Sequence, residues 1–217
     1  KDYATFSSET GGTSLQDLTP EEVEARKSML DTDPPAHTRL RALVNRGFTP
    51  RVVNAYEARI RELASGIMAR PFEREAFDWV EDVASEIPMW VFSEIMGLPV
   101  EDRRHLIELG DRILGNSDPE LVGEAFVEER ALGDPELRLL PFSSPFSLDL
   151  MEYGRRLGEL RRSDPRDDVT TKLVEAVVDG SRLDDHEFGL FFLLLTTAGN
   201  ETTRHTISLG LLELLEH

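Results

Sequence analysis

The segment from Asp185 to the end of the chain predicts one long helix with an unfavourable centre. Apolar side chains fill residues 188–195, and the helical pattern resumes over residues 207–215. Between them lies AGNETT, residues 198–203, where Gly199 costs ~1 kcal/mol relative to alanine in a helix interior. Its threonines are also weak helix formers. Either packing or function must therefore explain why these residues lie in the middle of a helix.

Helix-start signals predict that the rest of the chain is also helical. Thr19, Pro20 and Glu22 form a capping box with proline at the first helical position, and Thr49-Pro50 repeats the signal. No segment alternates for long enough to indicate a sheet. We therefore expect a mainly α domain.

Apolar spacing places further helices along the chain. One helix is expected after Pro50, with an apolar stripe at Val53, Tyr56, Ile60, Leu63, Ala64 and Ile67. A buried helix over residues 77–99 should bend at Pro88 and end at Gly97. The remaining helices are expected over Arg103–Leu114, Leu148–Arg162, Val169–Val178 and Asp185 to the end. Residues 7–18 and 133–145 are predicted loops, the second with Phe142 and Phe146 exposed beside it.

Charge and composition exclude several kinds of protein. The chain has 24 Lys and Arg against 42 Asp and Glu, a net charge of −18, which argues against binding nucleic acid or anionic membranes. It has no cysteine, so disulfides and thiolate ligands are excluded within it, and no metal ligand is expected here. Its longest apolar run is far shorter than the ~20 residues of a membrane span. We expect a cytoplasmic protein, of which this chain is an internal piece.

A basic segment interrupts this acidic chain. Residues 34–56 contain no Asp or Glu but hold His37, Arg39, Arg41, Arg46 and Arg51. His37 and Arg41 are four residues apart, so they share a helix face and could bind one carboxylate or phosphate between them. The alternative is that these arginines pair with acids elsewhere in the chain, and the spacing alone favours that alternative.

The AGNETT motif also allows two interpretations. Ala198 and Thr202 lie one helical turn apart beside Gly199, so a large or flat group could approach the backbone closely. The Thr202 hydroxyl and the Glu201 carboxylate could pass and supply protons. Alternatively, Gly199 lets another helix pack closely and the hydroxyls bond to carbonyls one turn earlier. The residues alone narrowly favour this structural alternative.

Three segments in order resemble the cytochrome P-450 family of haem-thiolate monooxygenases. AGNETT resembles the family's central-helix motif, DPPAHTRLRALVNRGFTPR (residues 33–51) its propionate-binding helix, and residues 77–103 the helix and turn that follow in soluble bacterial members. The resemblance implies one partial domain over residues 1–217. It would be the mainly α, distal-side middle portion, approximately from the B–C loop to the long central I helix, without the N-terminal sheet and the C-terminal haem-ligand region.

The resemblance also implies a function. A family member would use haem and O2 to insert one oxygen atom into a C–H bond of an apolar small molecule, such as a steroid, a lipid or a terpenoid. Electrons would come from NAD(P)H through a ferredoxin and ferredoxin reductase type of donor. The chain itself is expected to be inactive, because the family's cysteine ligand would lie beyond His217.

The same resemblance assigns roles to individual residues. Ala198 and Gly199 would line the groove over the haem where O2 binds, Thr202 would hydrogen-bond the oxygen, and Glu201 would help to relay protons. His37 and Arg41 would bind the haem propionates. The loops at residues 7–18 and 133–147 would shape the substrate pocket.

Two alternative functions compete with this one. The first is a non-catalytic all-α domain that binds an anionic ligand at His37 and Arg41, and a cysteine loop downstream would argue against it. The second is a helical-bundle metal site, which requires Glu-x-x-His pairs. None of the five histidines has a glutamate three residues before it, so this function is discarded.

Overall fold

The structure is a computed structural model that describes Asp2, residues 5–10 and residues 17–217. Within these ranges the chain is mainly helical, and their only β pairing is an isolated bridge between Val178 and Ser181. The mainly α class is therefore confirmed. The α-helices of this part of the chain are α1 Pro20–Arg26, α2 Ala36–Gly47, α3 Pro50–Ala55, α4 Glu57–Ala69, α5 Glu86–Met96, α6 Arg103–Leu114, α7 Pro119–Val122, α8 Glu124–Ala131, α9 Pro135–Leu139, α10 Phe146–Ser163, α11 Val169–Val174 and α12 Asp185–Glu216.

The predicted helix starts are confirmed by their capping hydrogen bonds. The Glu22 amide donates to the Thr19 hydroxyl at 3.3 Å, and the Thr19 amide donates to the Glu22 carboxylate at 2.7 Å. The Val52 amide donates to Thr49 in the same way, at 3.3 Å. The predicted bounds of α6 and of the long helix α12 are also confirmed.

Three of the predicted elements are wrong in part. The helix after Pro50 is two helices, α3 and α4, and Val53 in the first is 51% exposed, so the apolar stripe covers α4 only. The helix from Val169 ends at Val174, after which the chain turns back through the Val178 bridge. The predicted loop at residues 133–145 contains α9, which starts at Pro135 with Asp134 as its cap. Phe146 is partly buried against the core, because it opens α10.

The expected bend near Pro88 is a π-helical turn, Val80–Ala84, that precedes α5. The Ser85 amide donates to the Val80 carbonyl, five residues earlier, at 2.8 Å. Proline has no N–H for the carbonyl four residues back, and its ring crowds that carbonyl. We attribute the wider turn to this crowding. The helix then ends as expected at Gly97, whose φ of 71° is left-handed.

Glycines on α10 allow α12 to pack closely against it. Phe188 and Phe192 of α12 are fully buried. A Cβ built on Gly154 would lie 2.6 Å from Phe192 Cβ, and one on Gly158 would lie 2.9 Å from the Phe188 ring. The two aromatic side chains therefore fill the space that the glycines leave, and this contact fixes the rotation of α12 about its axis.

The position of α2 is fixed by a smaller set of contacts. Leu43 and Val44 are buried in the same core as the α12 phenylalanines. A Cβ built on Gly47 would lie 2.8 Å from Leu173 Cδ2 of α11. Close packing on α11 thus holds α2 with its basic side chains away from the core.

The contact between α10 and α12 predicts opposite effects for two glycine substitutions. Gly154→Ala should lower the free energy of unfolding by about 1–3 kcal/mol, as overpacked core substitutions do. Gly66→Ala, in α4, should raise it by about 0.5–1 kcal/mol, because alanine is the better helix former. A Cβ on Gly66 would meet no described atom within 4 Å. Urea denaturation measures the free energy of unfolding of both variants. An unchanged free energy of unfolding in Gly154→Ala would contradict the close packing.

Candidate functional site

The small residues of AGNETT lie on the open side of α12. Ala198, Gly199, Thr202 and Thr203 are exposed, whereas Thr196 and Asn200 are buried on the packed side. A Cβ built on Gly199 would meet no atom of the described chain within 4 Å. Gly199 therefore does not serve a close helix contact within this part of the chain. The open face offers backbone and small side chains to a large neighbour.

The threonine hydroxyls make the hydrogen bonds that the structural alternative predicts, to carbonyls one turn earlier. Thr202 Oγ1 donates to the Ala198 carbonyl at 2.6 Å, and Thr203 Oγ1 donates to the Gly199 carbonyl at 3.0 Å. Buried Thr196 bonds to Phe192 in the same way, at 2.8 Å. The hydrogen bond is thus common to hydroxyls along α12, and Thr202 differs from Thr196 in its exposure to the open face.

Glu201 is part of a charged cluster that joins α12 to α6. Arg204 donates from Nη2 to Glu201 at 2.7 Å and from Nη1 to Asp111 at 2.7 Å. His205 Nε2 lies 3.2 Å from Glu201 Oε1 and is largely exposed. Burial disfavours the charged guanidinium, but the hydrogen bonds to Glu201 and Asp111 leave the pKa of Arg204 above its ordinary value. The cluster holds the Glu201 side chain, which is only 19% exposed.

Arg204, Asp111 and Asn200 also belong to this region, although the sequence alone did not indicate them. The Glu-x-x-Arg spacing was visible at residues 201–204, but it also occurs at residues 101–104, 152–155 and 159–162. Of these four pairs, only 201–204 and 152–155 form ion pairs in the described structure. Asn200 is buried, and its Oδ1 has no hydrogen-bond partner within the described residues.

The basic segment divides into paired and unpaired cations. Arg39 forms an ion pair with Glu187 of α12 and donates to Ser181 Oγ at 3.1 Å. His37 and Arg41 lie one turn apart on α2, the first partly buried and the second exposed. Neither side chain has a hydrogen bond or an ion pair to any residue that the structure describes. The alternative of pairing with acids therefore applies to Arg39 and not to Arg41, whereas His37 acts electrostatically on Asp33 without forming an ion pair.

These two groups of residues suit a large, flat, anionic cofactor. Unpaired cations on α2 could hold its acidic groups, and the small-residue face of α12 could lie against its plane. No hydrogen bond or ion pair joins the two groups within the described ranges. Those ranges also contain no cluster of three or more His, Asp or Glu side chains that could hold a metal ion.

An apolar cavity of about 250 Å³ lies beside α12. Its walls come from α1 and the segment that follows it, from the Pro141–Ser143 turn, and from leucines of α12. Leu18 and Phe142, which belong to the two predicted loop regions, line this cavity. Residues 11–16 lie outside the described ranges, and whether these loops shape a substrate pocket stays a prediction. The lining residues are Leu18, Val23, Arg26, Ser28, Leu30, Asp31, Pro141, Phe142, Leu190, Leu193 and Leu194.

A charged contact holds α1 against α9 at the edge of this cavity. Arg138 forms an ion pair with Glu22, and its Nη2 donates to the Asp17 carbonyl at 3.1 Å. The hydrogen bonds from Arg138 and from the Thr19 amide lower the pKa of Glu22 to about 2. The Glu22 carboxylate therefore both caps α1 and ties it to α9.

The lowered pKa of Glu22 predicts a pH-dependent contribution to stability. Because the folded pKa is about 2 and the ordinary value is 4.5, the contribution is complete above pH 4.5 and is lost as the pH falls towards 2. Glu22→Gln should therefore lower the free energy of unfolding at pH 7, and the difference from the unchanged protein should shrink below pH 4.5. Chemical denaturation from pH 7 to pH 3 measures this difference. A constant difference over that range would contradict the assignment.

Searches of known proteins find relatives over almost the whole chain, although no protein-family model matches it. The steroid C26-monooxygenase of Mycobacterium tuberculosis is 36% identical over 202 residues, which are 93% of this chain and 43% of that protein. The methyl-branched lipid omega-hydroxylase of the same species is 38% identical over 204 residues, which are 92% of this chain and 44% of that protein.

A solved structure has the same fold. It is a Mycobacterium marinum cytochrome P-450 in complex with pseudoionone, with a TM-score of 0.72 and 36% sequence identity. The match covers 91% of this chain and 45% of that chain. The chain thus spans less than half the length of the relatives that it matches. None of the helices in the described part is long and apolar enough to cross a membrane.

Proposed function

Because the chain belongs to the cytochrome P-450 family, we propose that the protein is a haem-dependent monooxygenase. It would insert one oxygen atom from O2 into a C–H bond of an apolar small molecule of the steroid, lipid or terpenoid kind. The names of the two mycobacterial relatives and the apolar cavity beside α12 support this class of substrate. NAD(P)H would supply the electrons through a ferredoxin and ferredoxin reductase type of donor. The cytoplasmic location stays a prediction.

The observation that carries the proposal is the open face of α12. In a packed helix bundle a stretch of small and hydroxylated residues would face a neighbouring helix, but Ala198, Gly199 and Thr202 are exposed, and no described residue packs on Gly199. Leu209 and Leu212 continue the exposed surface towards the end of the helix, at 59% and 49% exposure. A large apolar group lying on this surface would remove these leucines from water.

The unpaired cations of α2 would hold the acidic groups of that cofactor. When bound, haem supplies the centre at which O2 is activated. His37 and Arg41 would each donate to a propionate through charge-assisted hydrogen bonds. Arg39 would not, because it already forms an ion pair with Glu187. The non-catalytic alternative, an anion-binding domain, would use the same two residues but leaves the open face of α12 without a role.

Thr202 and Glu201 would handle protons on the open face. The Thr202 hydroxyl, which donates to the Ala198 carbonyl in the structure, would hold or pass a proton on this face. Glu201 is the nearest acid in sequence, and exposed His205 beside it offers an exchange route to water. Arg204 would keep the Glu201 carboxylate in place, because the Arg204 guanidinium is itself fixed by Asp111.

Haem retention tests the proposed role of α2. His37→Ala and Arg41→Ala in the full-length protein should each weaken haem binding roughly 10- to 100-fold, since hydrogen bonds to charged groups contribute about 1.5–3 kcal/mol. Arg46→Ala is the matched control, because Arg46 is an exposed arginine of the same helix on another face. The haem-to-protein ratio after gel filtration and the rate of haem transfer to apomyoglobin measure the effect. Unchanged retention in both variants would overturn the assignment.

Coupling of electron use to product formation tests Thr202 and Glu201. Thr202→Ala should consume NAD(P)H at a similar rate but release more peroxide and less product, because a misplaced proton frees peroxide instead of cleaving the O–O bond. Glu201→Gln should slow turnover more evenly, because it removes the proton source and keeps the hydroxyl. Thr206→Ala is the matched control, since Thr206 is exposed and bonds to the Thr202 carbonyl at 2.8 Å.

The structural alternative for Thr202 predicts a different outcome. If the side chain only completes the helix surface, Thr202→Ala and Thr206→Ala should behave alike, with unchanged product per NAD(P)H. That result would remove Thr202 from the proposed chemistry. Melting temperatures of both variants show whether either change acts through the fold.

A further inference from the structure

One guanidinium that lines the apolar cavity has no counter-ion among the described residues. Arg26 lines the cavity together with leucines of α12. Its Nε donates to the Arg138 carbonyl at 2.6 Å, and its Nη2 donates to Ser143 Oγ at 2.8 Å. Both acceptors are neutral. No carboxylate of the described chain forms an ion pair with Arg26, and its Nη1 has no acceptor there.

Several other cations of the chain form ion pairs with carboxylates. Arg138 pairs with Glu22, Arg39 pairs with Glu187, and Lys27 lies 2.9 Å from Glu9. A chain with 42 acidic residues has many carboxylates available for pairing. A partly buried cation without a counter-ion is unfavourable, and burial lowers the pKa of Arg26. Its place in an apolar wall therefore indicates a partner that comes from outside the fold.

The other charges near Arg26 leave room for one negative charge. Glu22 and Asp31 favour the charged guanidinium, whereas Arg138 and Arg130 oppose it. With Arg26 itself, three cations and two carboxylates interact here, and of these Arg26 and Asp31 line the cavity. The Asp31 carboxylate accepts from Ser28 Oγ at 2.7 Å. One further carboxylate would balance the group, and a guanidinium matches the shape of a carboxylate.

We propose that the cavity binds an amphipathic carboxylic acid, with its carboxylate on the Arg26 guanidinium and its apolar body against Val23, Phe142 and the leucines of α12. The proposal rests on the proposed function, because it names the substrate class of that site. Arg26 is then a specificity-determining residue that selects acids over neutral lipids of the same size. The helix rises ~1.5 Å per residue, so the apolar body has about 6 Å of α12 to follow from Leu194 to Ala198.

The test compares two probes on the full-length, haem-loaded protein by isothermal titration calorimetry. Dodecanoate should bind roughly 10- to 100-fold more tightly than methyl dodecanoate, in line with a charged hydrogen bond. Arg26→Gln should weaken dodecanoate by that factor and leave the ester unchanged. Arg26→Lys should restore part of the preference, since it keeps the charge. Val23→Phe, which narrows the cavity, should weaken both probes.

Other outcomes would overturn the proposal. If Arg26 only ties α1 to the Pro141–Ser143 turn, Arg26→Gln should weaken both probes equally and lower the melting temperature. Equal affinity of the two probes for the unchanged protein, or tight dodecanoate binding in Val23→Phe, would also contradict it. Hydroxylated product from the ester, without a preference for the acid, would remove the role of Arg26 and leave the monooxygenase standing. Acid binding that depends on Arg26 but gives no hydroxylated product would support the role of Arg26 and contradict the monooxygenase activity.

Discussion

The packing of Phe188 and Phe192 on the glycines of α10 sets the arrangement of the rest of the molecule. A helix of the length of α12 could bury any of its faces, and side-chain propensity alone does not choose among them. The glycines at positions 154 and 158 favour the face that carries Phe188 and Phe192, because a Cβ at either position would clash with one of these side chains. Gly199 follows Phe188 by about three helical turns and Phe192 by about two, so it lies on nearly the same side of α12. It is open because no described residue lies within 4 Å of where its Cβ would be.

The buried side chains explain why an unfavourable sequence is tolerated in the middle of a long helix. Phe188, Phe192 and neighbouring leucines bury enough apolar surface to hold the helix together by tertiary contacts. A glycine that costs ~1 kcal/mol is therefore tolerated. On α2, likewise, some residues hold the helix in place and others are exposed. Leu43, Val44 and Gly47 pack against the core and α11, and Arg39 anchors α2 to α12. His37 and Arg41 are then free for a ligand.

Much of this fold could be predicted from the sequence, because helix caps and apolar spacing are local signals. Thr19 and Thr49 cap the helices they were expected to cap, and α12 starts at Asp185 as expected. The break at Tyr56 and the π-helical turn before Pro88 were missed, since both depend on packing against other helices. At the site, the residue types indicated the candidates within α12. The hydrogen bond from Arg204 to Asp111 could not be predicted in this way, because it joins residues distant in sequence. Whether Thr202 and Glu201 handle protons stays a prediction.

A crystal structure of the full-length, haem-loaded protein tests the central claim most directly. The account predicts that the open face of α12 at Gly199 lies against the haem and that His37 and Arg41 both donate to its propionates. Arg39 should keep its ion pair with Glu187 in that structure. A haem bound elsewhere, or propionates held by Arg39 with His37 and Arg41 left in solvent, would contradict the account.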